Sequence, residues 1–120
     1  MPKLLIVDDE LDVREFAANF FKRRNIDVVV ASSGEKALEM LDKENPNLVL
    51  LDIKMTGIDG ITTLERIRQK GNQVKVVMVT GQEPQDDGSF NKCKDLGALD
   101  YIHKPLKLEE LEKVVLRELK

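Results

Sequence analysis

The chain has 120 residues, 42% apolar and 34% charged, with 19 Lys plus Arg against 22 Asp plus Glu and a formal net charge of -3, which describes one ordinary globular domain and excludes a disordered or collagen-like chain. One cysteine, Cys93, and one histidine, His103, exclude an intramolecular disulfide and any Cys-rich or His-rich metal centre. No apolar run exceeds four residues and the longest basic run is Lys22-Arg23-Arg24, so no membrane span, no signal peptide and no direct nucleic-acid footprint is expected, and the expected compartment is cytoplasmic.

The elements follow in chain order. Leu4 to Val7 reads as a first strand buried on both faces. Val13, Phe16, Ala17, Phe20 and Phe21 fall at i, i+3, i+4, i+7 and i+8, the stripe of an amphipathic helix. Val28 to Ala31 is a second strand, Ala37, Leu38 and Leu41 mark a second helix, and Glu44-Asn45-Pro46-Asn47 stops it. Leu48 to Leu51 is a third strand, and Ile61, Leu64 and Ile67 a third helix ended near Gly71. Val76 to Val79 is a fourth strand. Gly81 to Ser89 contains Pro84 and Gly88, so the fourth helix is expected to be short or irregular. A short fifth strand near Tyr101-Ile102 precedes a final helix carrying Leu108, Leu111, Val115 and Leu119. Strand and helix alternate five times, which predicts an α/β fold: a doubly wound, five-stranded parallel sheet with helices on both faces. One domain over 1–120 is expected, with no effector domain in this chain.

Ligands of such sheets bind beyond the carboxyl ends of the strands. Asp8-Asp9-Glu10 follow the first strand, Asp52 the third, Thr80 the fourth, and His103-Lys104-Pro105 the fifth, whereas Ser32-Ser33 after the second reads as a helix cap. If the first and third strands are central neighbours, Asp8, Asp9 and Asp52 converge, with Thr80 and Lys104 arriving from the far side. Three crowded carboxylates raise one another's pKa unless a counter-charge is present. Lys104 supplies one, and the remaining oxygen donors suit a hard divalent ion such as Mg2+ better than Ca2+, for which no dedicated loop exists. An acidic pocket with Mg2+, a lysine and a hydroxyl suits phosphoryl transfer to an aspartate.

Val7-Asp8-Asp9-Glu10 with Arg14, Leu51-Asp52-Ile53-Lys54-Met55 with Asp59-Gly60, Val79-Thr80-Gly81, and Gly97-Ala98-Leu99-Asp100-Tyr101-Ile102-His103-Lys104-Pro105 together resemble the receiver domain of two-component response regulators, over essentially the whole chain. The resemblance implies strand order 2-1-3-4-5 and Asp52 as phosphoacceptor, loaded from a phosphohistidine on a sensor histidine kinase or histidine phosphotransfer protein. It implies Mg2+ on Asp9, Asp52 and the Lys54 backbone carbonyl, with Asp8 acting through water. Lys104 would pair with Asp52 and then with the phosphoryl group, the Lys104-Pro105 peptide would be cis, and Thr80 and Tyr101 would form a switch pair. Such a protein is not an enzyme beyond its own phosphoryl acceptance and slow autodephosphorylation. It acts by docking a downstream protein or effector domain, as a monomer or weak phosphorylation-dependent dimer, with no contact to membrane or nucleic acid.

Two departures stand out. The family often has Pro after the Met of the third-strand motif, whereas Thr56-Gly57 follow Met55 here, which predicts a looser loop. The stretch from Thr80 to Lys104 is a couple of residues longer than is common, so the output face is expected to be remodelled. Read singly, Asp8-Asp9 would cap the first helix, Cys93 is a small apolar contact, His103 lies on the surface, and Lys22-Arg23-Arg24 and Glu109-Glu110 are solvated helix faces. Three rivals remain: a pseudo-receiver that binds partners without phosphorylation; a flavodoxin-like protein, disfavoured by the absence of Trp, by a lone Tyr and by the lack of a phosphate-cradling loop; and a Mg2+-dependent aspartyl phosphatase, disfavoured because Lys54 stands where a second aspartate would serve as acid and base.

Overall fold

A computed structural model describes residues 2–81, 89–104 and 106–119. The elements run β1 (Lys3–Val7), α1 (Leu11–Lys22), β2 (Asp27–Ala31), α2 (Gly34–Glu44), β3 (Leu48–Asp52), α3 (Gly60–Gln69), β4 (Lys75–Thr80), α4 (Ser89–Asp95), β5 (Asp100–His103) and α5 (Leu108–Leu119). The strands form one sheet in the order β2-β1-β3-β4-β5, every neighbouring pair parallel. The alternation in the sequence therefore builds the expected doubly wound sheet, and the seven residues of α4 match the short fourth helix. Most of the irregular segment before it, and Pro105 with the Lys104-Pro105 peptide, lie outside the described residues.

The strands are apolar along their whole length because each face meets helices. Side chains alternate across a strand, so Leu4 and Ile6 with Leu48, Leu50, Val77 and Val79 pack against Ala17 and Phe21 of α1 and Leu111 and Val115 of α5. Leu5 and Val7 with Val49, Leu51, Val76 and Met78 pack on the other side against Leu41 of α2, Leu64 and Ile67 of α3 and Cys93 of α4. Cys93 is fully buried, as an apolar contact would be. Both layers hold the central strands β1 and β3 rigidly, and those two strands carry the acidic residues.

Helix ends explain the loops. Ser33 caps α2 by accepting from the Lys36 amide at 3.1 Å, and Asp59 caps α3 by accepting from the Thr62 amide at 2.7 Å. Asn45 ends α2 in the left-handed region at φ 48°. Helix α1 differs: its N-cap is Glu10, which makes no side-chain capping bond, so neither Asp8 nor Asp9 caps it.

Two surface expectations need correcting. Phe16, placed by periodicity on the buried stripe of α1, is 47% exposed; the buried face is carried by Ala17, Ala18 and Phe21. Arg24 is not simply a solvated helix residue: it lies beyond α1, its guanidinium is 3.7 Å from the Phe20 ring centroid, and it ion-pairs with Glu112 of α5.

Candidate functional site

The site is assembled at the carboxyl end of the sheet. Asp8 leaves β1 with its amide on the Ala31 carbonyl at 3.2 Å, its own carbonyl held by Arg14 Nη1 at 2.8 Å, and its Oδ1 accepting from the Glu10 amide at 2.9 Å. Asp52 is the last residue of β3, in register with Val79 of β4, and the Ile53 amide continues that pairing to the Val79 carbonyl at 2.9 Å. Both aspartates are 3% exposed. After β4, the Lys104 amide donates to the Thr80 carbonyl at 2.7 Å, prolonging the β4–β5 pairing past His103 and fixing where Lys104 leaves the sheet.

From there Lys104 reaches inward. Its Nζ lies 3.2 Å from Asp52 Oδ2 and 3.2 Å from Asp8 Oδ2. The lysine therefore bridges two buried carboxylates, where the sequence reading gave it one. Burial, and then the neighbouring Asp8, push the Asp52 carboxyl up from 3.8 to about 6, with Lys104 opposing and Asp9 adding to the rise. Burial alone would lower the Lys104 ammonium, but Asp52 and Asp8 outweigh it and hold it above its ordinary range. One ammonium does not neutralise the aspartates around it.

Asp9 stands apart from that bridge. Its Oδ2 accepts from both the Thr56 amide at 3.0 Å and the Thr56 hydroxyl at 3.2 Å. Threonine at this position supplies two donors that proline lacks, and both tie the loop to Asp9. Among the described residues, the carboxylates able to offer oxygens within 4.8 Å of one another are Asp8, Asp9 and Glu10. Glu10 thus joins the cluster, and Asp52 is not one of that trio. The Lys54 side chain is exposed, and the residues beside its carbonyl lie in an open cleft with Asp9 and Thr56. An all-oxygen donor set with excess negative charge beside one lysine fits a hard divalent cation such as Mg2+.

Thr80 is buried at the end of β4 and Tyr101 is half-buried on β5. Tyr101 packs against the layer that contains Cys93 of α4, whose thiol it hydrogen-bonds. His103 is exposed, as expected.

Three residues named in the sequence analysis without a physical role shape the site. Thr56 and Arg14 act through contacts that no local pattern encodes. Gly60 is required because a Cβ there would fall 2.2 Å from the Asp52 carbonyl oxygen and 2.8 Å from Ile53 Cα, while its amide donates to the Ile53 carbonyl at 2.7 Å. The only signal was its place in Asp59-Gly60, which did not reveal the close approach to the acidic strand end.

The family model described as the response regulator receiver domain matches residues 4–116. Sporulation initiation phosphotransferase F of Bacillus subtilis is 34% identical, with 94% of this chain and 90% of that protein covered. Protein-glutamate methylesterase/protein-glutamine glutaminase of Trichodesmium erythraeum is 40% identical over 96% of this chain but 34% of its own length, and several other relatives are likewise covered over half their length or less. Among solved structures, the response regulator protein TrrA from Thermotoga maritima, in complex with Mg2+ and BeF, superposes with a TM-score of 0.85 at 31% identity, covering 99% of this chain and 100% of that one. With the acidic strand ends and the bridging lysine in place, the chain belongs to the response regulator receiver domains of two-component signalling.

Proposed function

We propose that the chain is a phosphorylatable receiver that takes a phosphoryl group onto Asp52 from a phosphohistidine of a sensor histidine kinase or histidine phosphotransfer protein. The observation that carries this reading is the buried Asp52 carboxylate, held by Lys104 at 3.2 Å beside Asp8 and raised to about 6. At neutral pH Asp52 is ionised and nucleophilic, yet short of positive charge. One of its oxygens attacks phosphorus in line; the new O–P bond forms as the donor N–P bond breaks, and the electron pair leaves on the imidazole nitrogen. Lys104, already within reach of Asp52, follows the developing charge onto a phosphoryl oxygen. Asp9, Asp52 and the Lys54 carbonyl, with Asp8 through water, would hold Mg2+, which would supply positive charge beside the acceptor carboxylate.

The switch follows from position. The Thr80 hydroxyl lies on the strand next to Asp52 and donates to the phosphoryl group, and Tyr101 repacks between Thr80 and α4. New hydrogen bonds bias a two-state surface toward docking of a downstream protein. The chain's catalytic role is confined to its own phosphoryl acceptance and slow hydrolysis. No helix among the described residues is long and apolar enough to cross a membrane.

The test is incubation with acetyl phosphate or phosphoramidate, with and without Mg2+, read by intact mass. Expected is one phosphoryl addition that needs Mg2+ and disappears in Asp52→Asn. No addition under any condition would leave a pseudo-receiver that binds partners without phosphorylation.

A further inference from the structure

Thr56 occupies a position that joins two parts of the cation site. Asp9 lies between β1 and α1, and Lys54, whose carbonyl is the third protein ligand in the proposed set, lies after β3. The two are linked through Thr56, which is two residues beyond Lys54 and 47 positions from Asp9 and sends both its amide and its hydroxyl to Asp9 Oδ2. Both bonds fall on one oxygen. Among the described residues Asp9 Oδ1 accepts no hydrogen bond, so the carboxylate is anchored by one oxygen while the other stays available as a ligand.

The surrounding loop is built around this contact. Gly57, next in the chain, is in the left-handed region at φ 85°, and a Cβ there would press against the Glu35 carboxylate at 3.1 Å. Two residues later Asp59 caps α3. The loop is therefore fixed at its far end by a helix cap and at its near end by the Ile53 amide on Val79, with Thr56 as its tie to the β1 side. A hydrogen bond that orients a ligating carboxylate raises metal affinity by removing the cost of arranging the ligand when the ion arrives.

We propose that Thr56 is a positioning residue for the divalent cation: its hydroxyl and amide hold Asp9 and the Lys54 loop at the separation the ion requires. The proposal rests on the cation site of the preceding reading. It predicts that Mg2+ affinity depends on a hydroxyl at position 56, although that hydroxyl touches only Asp9.

The experiment is a Mg2+ titration of the full chain by calorimetry and by amide chemical shifts, comparing wild type with Thr56→Val, Thr56→Ser and Asp9→Asn. Thr56→Val keeps the shape and the amide but loses the hydroxyl, so its Mg2+ dissociation constant should rise about three- to tenfold, toward the low end of what outer-shell partners contribute. Thr56→Ser should restore binding to within about twofold. A thermal midpoint of metal-free Thr56→Val close to that of wild type separates loss of positioning from loss of fold. Binding by Thr56→Val as tight as wild type, or by Thr56→Ser as weak as Thr56→Val, overturns the role of the hydroxyl. If wild type binds Mg2+ and Asp9→Asn does not, while Thr56→Val is unaffected, only this inference fails; if wild type itself takes up no Mg2+, the cation site fails with it.

Discussion

Replacing Asp52 by Asn should stabilise the metal-free protein at neutral pH, although it destroys the proposed phosphoacceptor. The folded structure raises the Asp52 carboxyl from 3.8 to about 6, so the ionised form is disfavoured by folding by about two pKa units, or about 3 kcal/mol at about 1.4 kcal/mol per unit. For an acid whose folded pKa is raised, the folded state holds the proton more tightly. Stability is therefore highest below the unfolded pKa, falls as pH rises from about 4, and levels off above about 6. Asn keeps the shape and carries no charge, and it leaves Lys104 paired with Asp8. The rise to about 6 already includes the attraction of Lys104; burying the Asn amide offsets part of the gain, so the net increase at pH 7.5 should be about 1–3 kcal/mol, or about 4–12 °C in Tm for a chain of this size. Urea unfolding of both proteins in chelator from pH 4 to pH 8 isolates the effect, because every other carboxylate titrates in both. The advantage of Asp52→Asn should be absent near pH 4, grow to pH 6 and then stay constant. Added Mg2+ should narrow it by binding the folded wild type. Equal or lower stability of the variant at pH 7.5, or a difference that does not change with pH, would refute the claim that Asp52 is held short of counter-charge.

Two further substitutions probe the scaffold. Gly60→Ala places a methyl group 2.2 Å from the Asp52 carbonyl oxygen, so it should cost about 2 kcal/mol or more in urea unfolding and slow phosphoryl uptake from acetyl phosphate; unchanged stability would mean that the loop yields without disturbing β3. Arg68 donates to the carbonyls of Leu96 at 2.7 Å, Asn72 at 3.0 Å and Val74 at 2.8 Å, tying the end of α3 to the start of β4 and the turn after α4. Arg68→Ala should lower stability by about 2–3 kcal/mol and speed amide exchange at Gly97 and Ala98. Exchange there at the wild-type rate would show that the turn after α4 stands without it.

The sheet was legible because burial on both faces leaves unbroken apolar quartets, and polar residues directly after such quartets must sit at the strand ends. Asp8, Asp52, Thr80 and Lys104 are therefore candidates from position alone, and the parallel order brings Asp8, Asp52 and Lys104 together. What escaped was of a different kind. The second carboxylate on Lys104, the Thr56 bonds to Asp9 and the Arg24 pairing with Glu112 join residues 47 to 96 positions apart, with geometry set by the packed sheet and helices and by no local pattern. Phe16 shows the opposite error: its spacing is that of a buried stripe, but Ala17, Ala18 and Phe21 fill the buried face of α1 and Phe16 is left 47% exposed. After Met55, threonine stands where the family often has proline and contributes two hydrogen bonds to Asp9, a long-range contact that its sequence neighbours do not announce.

The same geometry suggests how a charge change at Asp52 reaches the surface. Lys104 is coupled to the acidic pocket by its side chain and to the end of β4 by its amide, which donates to the Thr80 carbonyl at 2.7 Å. Three residues earlier on the same strand, Tyr101 hydrogen-bonds Cys93, which is buried on α4. In the proposed phosphorylated state, the phosphoryl group on Asp52 would increase the negative charge that Lys104 must meet and would offer the Thr80 hydroxyl an acceptor. Both effects act at the end of β4 and β5, strands that Cys93 of α4 packs against through Met78 and Tyr101. Among the described residues that helix is the shortest of the five, at seven residues. In the proposed switch it is the element expected to move in response to a modest electrostatic change, with β1 and β3 held in place by the remaining members of the two apolar layers.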